Sequence, residues 1–285
     1  MRLLTLNKLG IVVALLLAVL LFFVGMQSYY GTGWRSVGRA DAGSFELHSL
    51  QSIGSEIGSV PTTTTKPNNA GLGLVDFSGV VGLVYILAMF WFLALSAVST
   101  WWGKERKKGM GLYEYSRGYK NVLANGLGPL LFALVVLVSG FFGFWLFYIG
   151  GVVGFLACVA AITADKFSSE IGVLDGPPVM IFTGRQVRRG VSGGVTMLGF
   201  VAGFGGAVLA SVLVPLFFGL LGVPFLGFGA VAVIIGGFIG TVADSMFGFY
   251  ETKKIGNKHS SNFLASLVGG FWGMALFMLF ILIFH

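Results

Sequence analysis

The chain alternates long apolar runs with short polar segments, and the run lengths match a bilayer. A membrane-spanning helix needs about 20 mostly apolar residues. Ile11 to Met26 is the first such run, with Arg2 and Lys8 ahead of it. No clean Ala-x-Ala cleavage site follows, so it reads as a retained helix and not as a signal peptide. Residues 27–76 are polar and contain Pro61-Thr62-Thr63-Thr64-Thr65-Lys66-Pro67, the composition of an irregular external loop. Phe77 to Ser99 is the second run. Val122 to Ala164 is too long for one span and suits two, with a reversal between Gly140 and Tyr148. Gly193 to Leu221, Val223 to Ala243 and Phe263 to Phe284 complete the set. The pattern predicts an all-α, polytopic membrane protein of about seven transmembrane helices. Its parts are an N-terminal helix (1–26), an external loop (27–76) and a six-helix membrane domain (77–285).

Composition points the same way. Of 285 residues, 56% are hydrophobic and only 10% charged, where soluble domains carry about 25% charge. Gly is abundant, and Gly150/Gly154, Gly199/Gly203, Gly236/Gly240 and Gly269/Gly273 have the Gly-x-x-x-Gly spacing of helix contacts. The single cysteine, Cys158, excludes an intrachain disulfide and a Cys-based metal site. His48, His259 and His285 lack metal-ligand spacing. A charge of +7 would suggest nucleic acid in a soluble protein. Here its placement matters more: fifteen of the 18 Lys and Arg residues fall on one side of the predicted spans. The positive-inside rule makes that side cytoplasmic, with the N-terminus inside and the C-terminus outside. No nucleic-acid partner is expected.

Candidate chemistry gathers on the same side. Asp165 closes the fourth run and Asp244 the sixth. An acid at a helix C-terminus opposes the helix dipole, and acids bordering spans are usually functional. If the helices continue, Asp165, Ser168, Ser169 and Gly172 share a face, with Glu170 offset by about 140°. Asp244, Gly248 and Glu251 then share a stripe, with Gly248 leaving room for a ligand. The segment Arg185-Gln186-Val187-Arg188-Arg189-Gly190-Val191-Ser192-Gly193-Gly194 opens the fifth run. It is either an ordinary basic surface loop or an anion site, built from guanidinium forks and helix N-terminal N–H groups. Asn125 and Asn262, beginning the third and seventh runs, are caps or ligands. Carboxylates beside an Arg- and Gly-rich turn suit Mg²⁺ and a phosphorylated substrate, and the bilayer suggests a lipid tail. Neither a Walker-type loop nor a protein-kinase signature is present.

In combination and order, several blocks resemble the transmembrane protein 19 / phytyl-phosphate kinase family. They are Ala164-Asp165 with Ser169-Glu170-Ile171-Gly172, Arg189-Gly190 with Gly193-Gly194-Val195, and Asp244-Ser245 with Gly248. Val122-Leu123-Ala124-Asn125-Gly126 and Asn262-Phe263-Leu264 flank them. The resemblance covers roughly residues 77–285. The chain departs from the family pattern at Lys166, where a small polar residue is common, and at Val191-Ser192. Lys166 is read as meeting phosphate or as reaching the headgroups. The resemblance implies Mg²⁺-dependent transfer of a phosphoryl group from a nucleoside triphosphate, CTP or ATP, to a phytyl or geranylgeranyl monophosphate. Asp165, Glu170 and Asp244 are then expected to hold the metal. Arg188, Arg189, Ser192, Gly193, Gly194 and Lys254 would bind phosphates, and Asn125, Ser169, Ser245 and Asn262 would orient substrate. The isoprenoid chain would lie between Gly-lined helices. Alternatives are a CTP-dependent lipid-phosphate cytidylyltransferase and an ion-coupled lipid or small-anion transporter.

Overall fold

The computed structural model describes residues 77–113, 119–215 and 226–284. The expected N-terminal helix, the 27–76 loop, the end of the fifth run, His48 and His285 lie outside these residues. The described elements are α1 (Phe77–Trp101), α2 (Lys104–Gly109), α3 (Tyr119–Phe142), α4 (Trp145–Gly172), β1 (Val179–Met180), β2 (Gly194–Val195), α5 (Met197–Ser211), α6 (Leu226–Thr252) and α7 (Lys258–Phe284). Six of the helices are long and apolar enough to cross a membrane. The α3–α4 reversal falls inside the expected window, at Gly143, whose φ of 74° suits glycine.

Helix α4 is the axle of the bundle, packing against α1, α3, α5, α6 and α7. In its most apolar stretch 89% of residues are buried, against 22% in α7. Small residues make this central place possible, because lipid offers no hydrophobic drive and packing must come from close backbone approach. A Cβ on Gly237 would meet the carbonyl carbon of Ala160 at 3.0 Å, and one on Gly236 would meet the Gly269 carbonyl oxygen at 2.6 Å. All four Gly-x-x-x-Gly pairs are closed this way: Gly150 on Met278 and Gly154 on Phe132, Gly199 and Gly203 on Ser168, Gly236 on Gly269 and Gly240 on Ala161, and Gly269 and Gly273 on Ala161 and Ala157. The expectation of a prenyl chain threading between these glycines is therefore corrected; protein already fills their faces.

Two expected helix ends also move. Helix α4 runs seven residues past Asp165, and α6 runs eight past Asp244. Neither acid is a C-terminal residue opposing a dipole; both lie within spans. Helix α4 continues because its polar residues find partners along its own surface. Lys166 pairs with Glu170 one turn on, and Phe167 between them is buried. Conversely, α5 starts at Met197 and not at Gly193. Gly193 has φ 77° and Gly194 lies in β2, so neither is helical. Thr196 is the true N-cap, its hydroxyl oxygen accepting from Gly199 N–H at 3.0 Å.

The polar connections meet at one end of the bundle. The segment between α4 and α5 forms a small hairpin, β1 antiparallel to β2 with Val179 opposite Val195. It sits on α6: a Cβ on Gly193 would meet Phe249 N at 2.5 Å, and Gly248 packs on the Gly193 backbone. Phe182 stacks edge-on with Phe249 at 5.0 Å. The glycine at 248 thus admits the hairpin, which occupies the room expected for a ligand. On the opposite flank, Lys107 of α2 is fully buried. It donates to the Ser99 carbonyl at 3.2 Å, the Thr100 carbonyl at 2.7 Å and Glu170 Oε2 at 2.8 Å. These are orphan carbonyls at the end of α1, so one ammonium caps that helix and ties it to α4.

Candidate functional site

Four helices bring polar side chains together at this end. Asp165 and Ala161 come from α4, Asn125 from α3, Asp244 from α6, and Asn262, Ala265 and Ser266 from α7. They surround a cavity of about 10 Å³, close to the room a single water needs. The Asp165 and Asp244 carboxyls are in hydrogen-bond contact, and the charges of Glu251 and Lys258 also act on Asp244. Both aspartates are half-buried. Asn262 is buried and bridges the site. In one amide orientation its nitrogen reaches Asn125 Oδ1 at 3.4 Å. In the orientation that satisfies its neighbours, it donates to the Lys258 carbonyl at 2.9 Å and to Asp244 Oδ1 at 3.3 Å. Pro129 lies inside α3. It lacks the N–H that would bond the Asn125 carbonyl one turn earlier, so that carbonyl has no partner four residues on.

The predicted residues divide into those that join this site and those that do not. Asp165, Asp244, Asn125 and Asn262 converge. Glu170 does not: its Oε1 pairs with Lys166 and accepts from Thr100 at 3.3 Å, and its Oε2 faces Lys107. Two ammonium groups enclose this carboxylate, so the expected three-acid metal set is not assembled. Among the described residues no group of three or more His, Cys, Asp or Glu side chains could hold a metal ion. Lys166 meets Glu170 in place of phosphate or headgroups. Ser169 and Ser245 turn their hydroxyls back to the Lys166 and Thr241 carbonyls, at 3.2 and 3.4 Å.

The anion site expected at the start of α5 is filled from within. Asp175 Oδ2 accepts from Leu198 N–H at 3.2 Å, and Thr196 takes the next N–H. Hydrogen bonds from the Gly176 and Leu198 N–H groups hold the Asp175 carboxyl below the usual carboxylate range, with the Arg189 charge assisting. Arg189 donates from Nε and Nη2 to the Asp175 carbonyl, at 3.2 and 2.7 Å. The Gly194 N–H is spent on the Val191 carbonyl at 3.1 Å, and Ser192-Gly193 packs on Gly248. Of the expected phosphate ligands, Arg188, Arg189 and Lys254 are exposed. Lys254 sits at φ 63° in the turn between α6 and α7. Asn257 is the cap of α7, accepting from His259 and Ser260 N–H at 3.0 and 3.1 Å.

Lys258, the cation acting on Asp244, was not anticipated from sequence. The signal was available, since Lys258, Asn262 and Ser266 recur at the four-residue spacing of one helical face.

The pattern of the DUF92 integral membrane protein family matches residues 68–281. The chain belongs to this family. An uncharacterised membrane protein of Methanocaldococcus jannaschii is 36% identical over 69% of this chain and 77% of its own length. Protein PGR of Arabidopsis thaliana is 29% identical over 54% of this chain and 56% of its own. An uncharacterised membrane protein of Synechocystis is 28% identical over 62% and 66%. No solved structure matches the chain.

Proposed function

We propose that this protein transfers a phosphoryl group from a nucleoside triphosphate, CTP or ATP, to a prenyl monophosphate held at the membrane surface. The observation that carries this reading is the meeting of Asp165 and Asp244 near the polar end of the bundle, walled by Asn125 and Asn262. Two carboxylates with amide oxygens and room for water fit Mg²⁺, which takes one or two carboxylates and fills its remaining positions with waters and substrate phosphates. Asp165 and Asp244 would hold the ion, which when bound neutralises charge on the phosphoryl oxygens. The prenyl resemblance supplies the acceptor class and the phytyl or geranylgeranyl chain. The excess of Lys and Arg at this end supports a cytoplasmic position for the site.

An acceptor that is already a phosphate monoester brings its own nucleophilic oxygen. That oxygen bonds to the terminal phosphorus of the donor, the bridging bond to the next phosphate breaks, and a nucleoside diphosphate leaves. No strong general base is needed, so the work is positioning and charge stabilisation. Asn262 and Asn125 orient the acids and the acceptor phosphate. Lys258, one turn before Asn262, adds positive charge beside Asp244. The acceptor's hydrocarbon reaches the site from the surrounding bilayer, because the internal glycine seams are closed.

The test uses purified protein, prenyl phosphates of several lengths, Mg²⁺, and CTP or ATP. Nucleoside diphosphate release with prenyl diphosphate formation is the expected result, abolished by Asp165→Ala and Asp244→Ala. Undiminished turnover in those variants would remove the site. Pyrophosphate release would indicate cytidylyl transfer instead. Nucleotide-independent flux in liposomes would indicate a transporter, although acids seven and eight residues from their helix ends sit off the middle of their spans.

A further inference from the structure

A second concave feature lies between α2 and the hairpin. It measures about 450 Å³ and is lined by Met110, Leu112, Pro177, Val187, Arg188 and Arg189. That volume lies within the roughly 300–1,000 Å³ of small-molecule sites, which combine apolar walls with a few polar groups. It is outside the spanning segments. We infer that this cleft seats the nucleoside end of a nucleoside polyphosphate, with Arg188 on its phosphates; the inference rests on the phosphoryl-transfer reading above.

Four apolar side chains, one of them the flat ring of Pro177, supply walls for a planar base. The two arginines have different tasks. Arg189 is fixed by its two bonds to the Asp175 carbonyl and shapes the wall. Arg188 is exposed, and among the described residues no carboxylate pairs with it. Next to Leu112, the Tyr113 ring is flanked by Lys104 at 5.8 Å and Lys108 at 5.9 Å, the latter also paired with Glu105. The C-terminal end of α4 and the residues after it run from the acid pair to the cleft. Asp165, Ser169 and Val173 recur every four residues on α4 and its C-cap, all accessible to solvent, followed by Gly176 and Pro177 at the cleft. The helical part of that stretch, Asp165 to Gly172, is about 10 Å long. A nucleotide seated in the cleft is therefore bound at the same end of the bundle as Asp165 and Asp244.

The experiment measures binding of trinitrophenyl-ATP, and its displacement by CTP and ATP, to the full-length detergent-purified protein in EDTA. Arg188→Ala and Val187→Trp, the second filling the cleft, are each expected to weaken binding about 10-fold or more, with partial recovery in Arg188→Lys. Arg188 is exposed, so its variants test the site without disturbing packing. Nucleotide binding untouched by both changes would overturn the inference while leaving the catalytic reading standing. So would displacement of the probe by phosphatidic acid vesicles but not by CTP or ATP, which would mark a headgroup site. Nucleotide held at this cleft without phosphorylation of any prenyl phosphate would support the cleft and sink the proposed acceptor.

Discussion

Glu170 separates a structural role from a metal-binding one, and its surroundings set the scale. Its carboxylate lies 2.8 Å from the fully buried Lys107 ammonium and also pairs with Lys166. At an effective dielectric of about 20, one such contact is worth about 6 kcal/mol before desolvation is charged against it. Removing the carboxylate leaves two lysines without their shared counter-charge, and breaking buried pairs this way costs about 3–5 kcal/mol. Glu170→Ala is therefore expected to lose several kcal/mol in reversible unfolding from detergent, followed by helicity. Replacing Lys107, Lys166 and Glu170 together by Met removes all three charges and is expected to cost less than the single change, since both ammonium groups leave with their shared carboxylate. The companion readout is Mn²⁺ binding by electron paramagnetic resonance as a surrogate for Mg²⁺. Glu170→Gln protein that remains folded should bind the ion like wild type, whereas Asp244→Asn should not. Full stability in Glu170→Ala combined with lost ion binding would refute the reasoning and return Glu170 to the metal site.

Gly248→Ala places a methyl against the Gly193 backbone, so it should loosen the hairpin and cost about 1–3 kcal/mol, visible as faster hydrogen exchange in residues 179–195. Tyr85 is fully buried and, among the described residues, its hydroxyl has no hydrogen-bond partner. Tyr85→Phe should accordingly stabilise the bundle, by about 1 kcal/mol, and raise the melting temperature. The Asp175 carboxyl is held below its ordinary range, so its contribution is present above the unfolded-state value and disappears as pH falls through the lowered one. Proteolysis of the hairpin should rise at acid pH in wild type and be pH-independent in Asp175→Asn. Cysteines placed at Arg188 and Lys254 should label from the same side of sealed vesicles; labelling from opposite sides would break the topology.

Much of the architecture was legible because it depends on one-dimensional quantities. Run length against bilayer thickness gave the six described spans, and the helical break at Gly143 fell inside the window that run length set. Lys/Arg placement predicted that the polar connections share one end, and the contacts of Lys107 with Glu170 and of Gly193 with Gly248 bear that out. The same logic failed at helix ends. Charged residues were read as stop signals, yet Lys166 and Glu170 neutralise each other within one turn, so α4 keeps going.

What the sequence by itself determined is a membrane bundle with acids, amides and arginines at one end, because hydropathy and charge act locally. Which of those polar groups face one another was decided only in three dimensions. Asp165 and Asp244, 79 positions apart in sequence, meet because the glycine and alanine faces of α4, α6 and α7 let three backbones close together. Glu170, only five positions from Asp165, is turned away by its helical angle into the reach of Lys107. Sequence spacing cannot rank those two outcomes, since both depend on which helix packs against which face.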